Sequence, residues 1–446
     1  MAHRVTGIET EYGCLIESAE PPHPILSRIR DWLFENDRYG LVDLHDRDWD
    51  EPAGNGGFLF NGGRVYIDMG HLEYCTPECP SALETVLYDR AGDQLLLEAT
   101  RALKLEQHVS FIRNNVDHYT GATFGCHENY SLQRNSPLTP RNVLSLLAFL
   151  TLRVLYCGSG RVGVRPPQFR SEVPRSFGVP FQISQRADFI QNDFFEWVQH
   201  NRAIINTRDE PLADPRRYRR LHLLHGDTNV LPSALFLKVG STRLVLDLLE
   251  VNDLPAVELR DAVSVLRSLS RTLEPPWCVR LANDKSADAL ELLAIYQQRA
   301  KKHFAGRDEE TDALIGLWER VLNGLSGHRE SLVGLVDWVT KEHLFRRFTE
   351  SEGIGWDDPW LESQDLEYHH IDPQRSLGLA LADRNGYWEP KRPREALIKP
   401  PARSRAHARS RLMREIQGKG AYYVLDWEAI ELPGHKPVRL LDPLQP

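Results

Sequence analysis

Two glutamates near the start of the chain constrain its fold more than any other feature. Glu9 and Glu11 stand one residue apart in residues 7–13, whose sequence GIETEYG is typical of a β-strand. Successive side chains of a strand point to opposite faces, so these two carboxylates share a face. Two solvent-exposed glutamates in ion pairs are the simpler interpretation. The flanking glycines and apolar neighbours instead favour a site where a cation or a shared proton relieves the repulsion.

Further carboxylates occur in similar settings along the chain. Asp68 and Glu73 belong to residues 66–74, where a strand runs into a Gly-His turn, and Glu128 belongs to residues 126–130. Magnesium prefers oxygen ligands and keeps several waters, so two or three carboxylates and phosphate oxygens are enough to bind it. The set therefore predicts a magnesium site that holds a nucleotide. Taken alone, Asp68 also fits the commoner role of an aspartate that caps a turn.

A basic segment offers cations for the same site. Within residues 219–229, strand alternation places Arg220 and His222 on one face, where a guanidinium suits phosphate and an imidazole suits a metal ion. Arg208, in residues 204–211, is a second candidate cation, although an arginine beside two acids is more often part of a surface ion pair. The glycines of residues 158–163 match no phosphate-binding loop, and a tight turn after a helix explains them.

Composition excludes several classes of protein. The chain has 446 residues, 41% hydrophobic and 26% charged, as is ordinary for a globular protein with a sizeable core. Its net charge of -9 argues against a general nucleic-acid-binding protein, which is usually basic. The six cysteines form no CxxC pair and indicate reduced thiols. No apolar run reaches the roughly 20 residues that a membrane span needs, and the first motif begins too early for a signal peptide, so we expect a soluble cytoplasmic protein.

The order of the predicted elements indicates an α+β fold. Helices are expected at residues 25–35, 81–105, 139–157 and, in several pieces, 256–350. Strands are expected at residues 1–16, 57–68, 107–116, 179–190, 219–225 and 234–249. Because the strands are not spaced as regular βαβ units, we expect an antiparallel sheet rather than a doubly wound parallel one. Residues 1–375 are expected to form a catalytic domain and residues 376–446 a small C-terminal domain.

These segments together resemble the enzymes of the pupylation pathway, which are the Pup–protein ligase and its paralogue, the Pup deamidase/depupylase. The resemblance runs in order over nearly the whole chain and rests on residues 7–13, 61–68, 71–74, 114–117, 125–130, 204–211, 218–229, 365–369 and 426–427. It implies a glutamine-synthetase-like domain whose curved antiparallel sheet forms a cradle for ATP and magnesium. It also implies the partners: Pup, a small and largely disordered modifier whose C-terminal Glu or Gln enters the cradle, and pupylated proteins.

The resemblance also implies roles for individual residues. The metal ligands would be four residues, Glu9, Glu11, Glu73 and His222. Asp68 would be the catalytic aspartate, and Arg208 and Arg220 would neutralise phosphate charge. Glu128 and Tyr66 lie in the matched motifs and are two further candidates, whose roles the motifs do not specify.

Local features favour the deamidase/depupylase branch over the ligase. Asp68 stands three residues before His71, which is the shorter spacing of that branch. Residues 23–26, 158–163, 181–188 and 356–359 also resemble it, and residues 47–51 keep its Trp-Asp stretch. The long loop that follows this stretch in that branch is almost absent here. Residues 125–128 and the total length are closer to the ligase, and Leu72 replaces a proline that is usual in both branches.

We give the catalytic turn more weight than the loop, because surface loops vary more easily. The expected activity is therefore ATP-dependent conversion of the C-terminal Gln of Pup to Glu and cleavage of the Pup–lysine isopeptide bond. A ligase that forms this bond through a glutamyl phosphate is the alternative. A small-molecule carboxylate–amine ligase and a Pup-binding protein without activity are further alternatives.

Overall fold

The fold is described by a computed structural model over residues 4–17, 22–46, 51–117, 122–162, 180–197, 201–420 and 422–446. Residues 47–50 and residue 163, which entered the comparison of the two branches, lie outside these ranges. The strands, in chain order, are β1 (Thr6–Ile16), β2 (Gly40–Val42), β3 (Gly56–Leu59), β4 (Arg64–Asp68), β5 (His71–Cys75), β6 (Val109–Ile112), β7 (Cys126–Gln133), β8 (Arg161–Val162), β9 (Phe181–Gln182), β10 (Asn192–Phe195), β11 (Ala203–Asn206), β12 (Tyr218–Leu223), β13 (Cys278–Arg280), β14 (Ser286–Asp288), β15 (Val424–Leu425), β16 (Ala429–Glu431) and β17 (Val438–Arg439).

The α-helices follow the same order along the chain. They are α1 (Pro22–Phe34), α2 (Ala82–Ala102), α3 (Pro140–Leu152), α4 (Val154–Cys157), α5 (Pro232–Glu250), α6 (Ala262–Arg271), α7 (Ala289–Phe304), α8 (Glu309–Gly327), α9 (Asp337–Glu352), α10 (Pro359–Tyr368), α11 (Leu377–Ala380) and α12 (Arg405–Ile416). Among the described residues, none of these helices is long and apolar enough to cross a membrane.

A 10-stranded sheet organises the molecule. Its strand order is β10-β11-β12-β7-β1-β5-β4-β3-β2, and β6 pairs with the last residues of β1. The central strand, β1, is antiparallel to both β7 and β5. The α+β fold predicted from the sequence is confirmed. One detail differs from the expected antiparallel sheet, because β10 and β11 run parallel.

Strand β1 alternates between the two faces of this sheet. Ile8 and Tyr12 are buried, whereas Glu9 and Glu11 on the opposite face are partly exposed. Ile8 belongs to the main core, which also contains residues of α3, α5 and α8. The Tyr12 hydroxyl donates to Asp93 of α2 at 2.8 Å. Helices therefore cover one face of the sheet around β1, and the other face carries the charged side chains.

Side-chain caps mark where the covering helices begin. Ser81 accepts a hydrogen bond from the backbone of Glu84 at the start of α2, and Asp308 caps α8 in the same way. Thr139 caps α3, which has Pro140 in its first turn. The helices predicted at residues 81–105 and 139–157 are confirmed, the second as the pair α3 and α4.

The strand predicted at residues 234–249 is wrong, because this segment forms most of α5. Its side chains are buried on all sides of the helix, including Lys238, Ser241 and Thr242. With buried residues on every face, the sequence shows no 3.6-residue periodicity, and a continuous apolar run is equally compatible with a buried strand. The length of the run, beyond the roughly 4–8 residues of such strands, was the signal for a helix.

Two other predicted strands are shorter or interrupted. Residues 57–68 contain most of β3 and all of β4, joined by a turn in which Gly62 has a φ of +89°. Within residues 180–190, only Phe181–Gln182 is a strand, and a 3-10 turn at Ala187–Phe189 follows. The predicted helical region at 256–350 contains α6 to α9.

The C-terminal residues pack against one edge of the main sheet. Met413, Ile416, Leu425 and Ile430 form a buried cluster with Leu41, Phe58 and Phe60. Buried Glu78, just beyond β5, accepts hydrogen bonds from Arg405 at 2.6 Å and from Arg409 at 2.7 Å. These contacts hold α12 beside the sheet. The division into a domain of residues 1–375 and one of residues 376–446 stays a prediction.

Candidate active site

A cavity of about 480 Å³ lies on the charged face of the sheet. Its wall includes Glu9 of β1, Tyr66 and Asp68 of β4, Arg208 after β11, and Arg220 of β12. Five of the residues proposed from the sequence therefore line one cavity, although they come from distant parts of the chain.

One group of candidate ligand atoms joins three adjacent strands. Glu9 of β1, His127 of β7 and His222 of β12 each offer an atom, and these atoms lie within 4.8 Å of one another. Nδ1 of His127 is 3.0 Å and Nε2 of His222 is 3.8 Å from Oε2 of Glu9. The strand register explains this arrangement, because Glu9 pairs with His127 and His222 pairs with Asn129, two residues further along β7.

A second group consists of carboxylates alone. Glu11 of β1 and Glu73 of β5 are direct cross-strand partners, and Asp68 is the last residue of β4. One oxygen from each of the three lies within 4.8 Å of the other two. Like charges directly opposite each other destabilise a sheet. An all-oxygen donor set is what magnesium prefers, so the arrangement fits this ion.

The electrostatics of Glu73 reflect this crowding. Burial raises the pKa of Glu73, and the charges of Glu9, Glu11 and Asp68 raise it further, so that it lies well above its ordinary value. A proton or a bound cation must therefore compensate this group near neutral pH.

The pKa of Glu9 is shifted in the opposite direction to that of Glu73. Burial raises its pKa, but the hydrogen bond with His127 and the charge of Arg220 outweigh burial and hold the pKa below the ordinary range. Burial, and then the charge of Arg220, lowers the pKa of His222, so its imidazole is neutral. Nε2 of His222 is buried and has no hydrogen-bond partner among the described residues. A neutral imidazole with an unused nitrogen beside a carboxylate fits a divalent cation.

The two arginines on the cavity wall are held differently. Nη2 of Arg220 is 3.1 Å from Glu9, and its Nε donates to Asn129 at 2.6 Å. Arg208 stands further out, with 58% of its side chain exposed and its Nε 2.6 Å from Glu210. An anion in the cavity would meet both guanidinium groups.

Tyr66 lies on β4 directly opposite Glu73 of β5. Burial raises the pKa of Tyr66 well above its ordinary value, and the charge of Glu73 adds to the effect. The phenol therefore keeps its proton and can donate a hydrogen bond to Glu73.

Glu128 does not reach the cavity. It is completely buried on the helix-covered face, where Arg153 lies 2.6 Å away and the Tyr130 hydroxyl donates to it at 2.6 Å. Burial raises the pKa of Glu128, but Arg153 outweighs it and lowers the pKa to about 2. His127 takes the place next to Glu9 instead. Strand alternation over residues 126–130 would have found it, because His127 and Asn129 share one face and Glu128 lies on the other.

The cavity is also lined by residues that the sequence analysis did not propose as site residues. They include Arg64 and Thr76 near β4 and β5, and Arg405 and Trp427 from the C-terminal part of the chain. The Trp427 ring packs on Phe58, with 5.1 Å between ring centroids. A cavity wall that carries an aromatic ring as well as arginines and metal-ligand residues suits an anion that also has a flat apolar part.

Gly125 offers a test of the two ligand groups. A Cβ at this position would lie 2.4 Å from Oε1 of Glu11 and 2.7 Å from Nε2 of His127. We expect Gly125→Ala to displace both side chains and to weaken magnesium binding at least about 10-fold, the lower end of the effect of disturbing a metal ligand's support. Calorimetric titration of metal-free protein with magnesium measures this effect.

The matched control is Gly316→Ala in α8, where, apart from the adjacent residues and backbone of the helix itself, no atom of the described residues lies within 4 Å of the new Cβ. Alanine is the better helix former, so this variant should keep the magnesium affinity and should not lose stability in urea. Wild-type magnesium affinity in Gly125→Ala would contradict the assignment of the ligand groups.

Comparison with protein families matches residues 4–431 to the family described as Pup-ligase protein. A Pup–protein ligase of Kineococcus radiotolerans is 34% identical over 450 residues, covering 97% of this chain and 94% of the relative. A Pup–protein ligase of Corynebacterium glutamicum is 33% identical over 472 residues, with 99% and 94% covered. A depupylase of Acidothermus cellulolyticus is 32% identical over 483 residues, with 100% and 94% covered.

Two solved structures are similar to this chain over almost its whole length. The complex between the prokaryotic ubiquitin-like protein Pup and its ligase PafA matches with a TM-score of 0.83 and 31% identity, covering 99% of this chain and 90% of that one. The Pup ligase PafA in complex with ADP matches with a TM-score of 0.78 and 32% identity, covering 98% and 93%.

Proposed function

We propose that this chain, which belongs to the Pup-ligase family, is a Pup–protein ligase that uses ATP and magnesium to join the C-terminal glutamate of Pup to lysine side chains. The observation that carries the proposal is one cavity whose wall holds two arginines and one member of each candidate metal-ligand group, Glu9 and Asp68. Similarity to PafA complexes that contain Pup or ADP supports the choice of substrates. Most of the relatives compared are ligases, which favours ligation over the deamidase/depupylase activity expected from the sequence.

The proposed reaction has two steps. The side-chain carboxylate of the C-terminal glutamate attacks the γ-phosphorus of ATP, ADP leaves, and a glutamyl phosphate forms. The ε-amine of a lysine then attacks the acyl carbon, phosphate leaves, and the amine gives up a proton. Asp68 would accept this proton, because it ends β4 at the cavity, where a side chain can reach the reacting atoms.

The remaining residues would bind and orient the substrates. Arg208 and Arg220 would meet the phosphate oxygens of ATP, and the Trp427 ring on the cavity wall would pack against the adenine. Glu9, His127 and His222 would hold one magnesium ion and Glu11 and Glu73 another, and bound magnesium offsets phosphate charge and polarises phosphoryl oxygens. Tyr66 would orient Glu73.

The deamidase/depupylase activity is the second candidate. The shorter spacing supports it: Asp68 and His71 pair directly across a turn of only Met69 and Gly70. The depupylase of Acidothermus cellulolyticus, which is similar to this chain over its whole length, supports it as well. In that activity Asp68 would act on water, or on the amide carbon itself, rather than on a lysine amine.

Purified protein with ATP and magnesium distinguishes these candidates. Pup ending in Glu, incubated with a lysine-containing acceptor protein, should give a conjugate that mass spectrometry locates at a lysine. Conversion of Gln-ended Pup to the Glu form, without conjugation, would overturn the ligase proposal in favour of the depupylase. Turnover of free glutamate would indicate a small-molecule ligase, and tight Pup binding without turnover would indicate a binding protein.

A further inference from the structure

An exposed methionine lies beside the proposed base on the wall of the candidate active site. Met69 directly follows Asp68, and both residues line the cavity. Met69 is 75% exposed, the largest exposed fraction among the large apolar residues that the structure describes. Within the same ranges it belongs to none of the three hydrophobic clusters. Packing inside the fold therefore does not account for an apolar side chain at this position.

The backbone of Met69 is also unfavourable for methionine. Asp68 and His71 pair between β4 and β5, so that Met69 and Gly70 form the whole turn. The φ angle is +42° at Met69 and +91° at Gly70, and positive φ at both central residues is typical of a type I′ turn. The first of these positions favours Asn, Asp or Gly, because other side chains make the left-handed conformation costly. Residues held in such conformations cluster at functional sites, which favours a functional role for Met69.

The strand register separates Met69 from the groups proposed to bind ATP. Trp427 packs on Phe58, which pairs with Arg64 at the first residue of β4. Met69 follows the last residue of this strand, roughly 13 Å away at the usual rise per residue. Arg220 lies on β12, and three strands, β7, β1 and β5, stand between β12 and β4. This corresponds to roughly 19 Å at the usual strand spacing. Neither the adenine nor the phosphates of the proposed substrate would therefore occupy the space beside Met69.

The carboxylates beside this turn suit an incoming ammonium group. One oxygen of Asp68 lies within 4.8 Å of oxygens of Glu11 and Glu73. In the proposed reaction the amine passes its proton to Asp68, so the acceptor side chain must reach this carboxylate past Met69, at the solvent boundary of the cavity. A lysine carries a long aliphatic stem behind its nitrogen, and such stems pack along apolar surface while the charged group stays solvated. The stem of the glutamyl group is shorter and offers less apolar surface.

We propose that Met69 is a specificity-determining residue that packs against the aliphatic stem of the acceptor lysine and guides its amine to Asp68. The inference rests on the proposed function, which supplies the lysine acceptor. Methionine suits this task because its unbranched, flexible side chain adapts to partners of different shape. Flexible apolar contacts of this kind are typical of surfaces that receive many partners.

The experiment compares Met69→Asn with the wild type on two amine acceptors, in the presence of ATP, magnesium and Pup ending in Glu. One acceptor is a lysine-containing peptide, and the other is hydroxylamine, whose nitrogen carries no aliphatic stem. Either nitrogen attacks the acyl carbon of the glutamyl phosphate, phosphate leaves, and the nitrogen loses a proton. We expect kcat/KM for the peptide to fall about 10-fold, the lower end of the effect of one lost apolar contact in a pocket. The loss should be in KM, because the contact binds ground state and transition state alike. Hydroxamate formation and affinity for Pup should not change.

Three controls accompany this comparison. Asparagine is favoured in a type I′ turn, so Met69→Asn should unfold at no lower urea concentration than the wild type. Met69→Leu keeps an apolar side chain of similar volume and should retain most of kcat/KM for the peptide. Ile398→Asn changes an apolar residue that is 43% exposed and does not line this cavity, and it should leave both reactions unchanged.

Equal losses with the peptide and with hydroxylamine would overturn the inference, because Met69 would then act on a step that both amines share. A loss confined to Pup affinity would assign the contact to Pup and would also overturn it. An earlier unfolding of Met69→Asn in urea would mean that Met69 serves stability instead. A wild type that forms neither product would overturn the proposed function and the inference with it. A wild type that forms both products, with Met69→Asn unaffected, would overturn the inference alone.

Discussion

Asp68→Asn is expected to reduce the rate of Pup–lysine conjugation by about 10²–10⁴-fold, the contribution of a positioned general base. Asparagine keeps the shape of the side chain but cannot take the proton that the attacking amine loses. Asp68 is suited to this role because it ends β4, lines the cavity and lies beside Glu11 and Glu73. Single-turnover conjugation at saturating ATP and Pup measures the effect on the chemical step.

Asp68 also belongs to the carboxylate group of candidate metal ligands. A second measurement therefore distinguishes its role as a general base from a role as a metal ligand. If Asp68 acts as the base, magnesium affinity and ADP formation should be retained while conjugation fails. The control Asp284→Asn makes the same chemical change at a side chain that is 69% exposed and should have no effect. Conjugation by Asp68→Asn at nearly the wild-type rate would remove Asp68 from the mechanism.

Local alternation explains why part of the site could be predicted. Glu9 and Glu11 share a face of β1, and Arg220 and His222 share a face of β12, because the two-residue period of a strand needs no knowledge of its neighbours. The same period holds over residues 126–130 of β7. There it would have selected His127 and assigned Glu128 to the core, where Arg153 balances its charge.

Contacts between distant segments could not be predicted in this way. The register that sets His127 against Glu9 joins strands more than a hundred residues apart. Arg405 and Trp427 line the cavity, and the bond from Arg409 to Glu78 that helps to hold α12 joins residues 331 positions apart. Helix α5 was missed for a different reason, since burial on all sides removes the periodicity that distinguishes a helix from a strand.

Two buried glutamates should respond in opposite directions when their charge is removed. In metal-free protein at neutral pH, Glu73→Gln is expected to raise the free energy of unfolding and Glu128→Gln to lower it. Glu73 lies among carboxylates that raise its pKa, whereas Glu128 is held as a carboxylate by Arg153. Loss of the Glu128 charge leaves Arg153 buried and unpaired, which costs about 3–5 kcal/mol.

The pH dependence follows from the direction of each shift. Because the folded pKa of Glu73 is above its ordinary 4.5, folded protein holds the proton longer than unfolded protein, and stability falls as the pH rises above 4.5 towards the folded pKa. A shift of one pKa unit corresponds to about 1.4 kcal/mol in the free energy of unfolding. The difference in unfolding free energy between Glu73→Gln and the wild type should therefore grow as the pH rises over this range. For Glu128 the folded pKa is about 2, so its stabilisation is complete above 4.5 and is lost as the pH falls towards 2.

Urea unfolding in EDTA across this range, repeated with excess magnesium, measures both effects. Magnesium should stabilise the wild type and Glu128→Gln by binding the folded state, and it should stabilise Glu73→Gln less, because one ligand is lost. A Glu73→Gln variant that unfolds at lower urea than the wild type in EDTA near pH 8 would mean that the carboxylates do not repel one another in the folded protein. The second metal group would then lose its physical basis, since relief of that repulsion is what a bound cation provides.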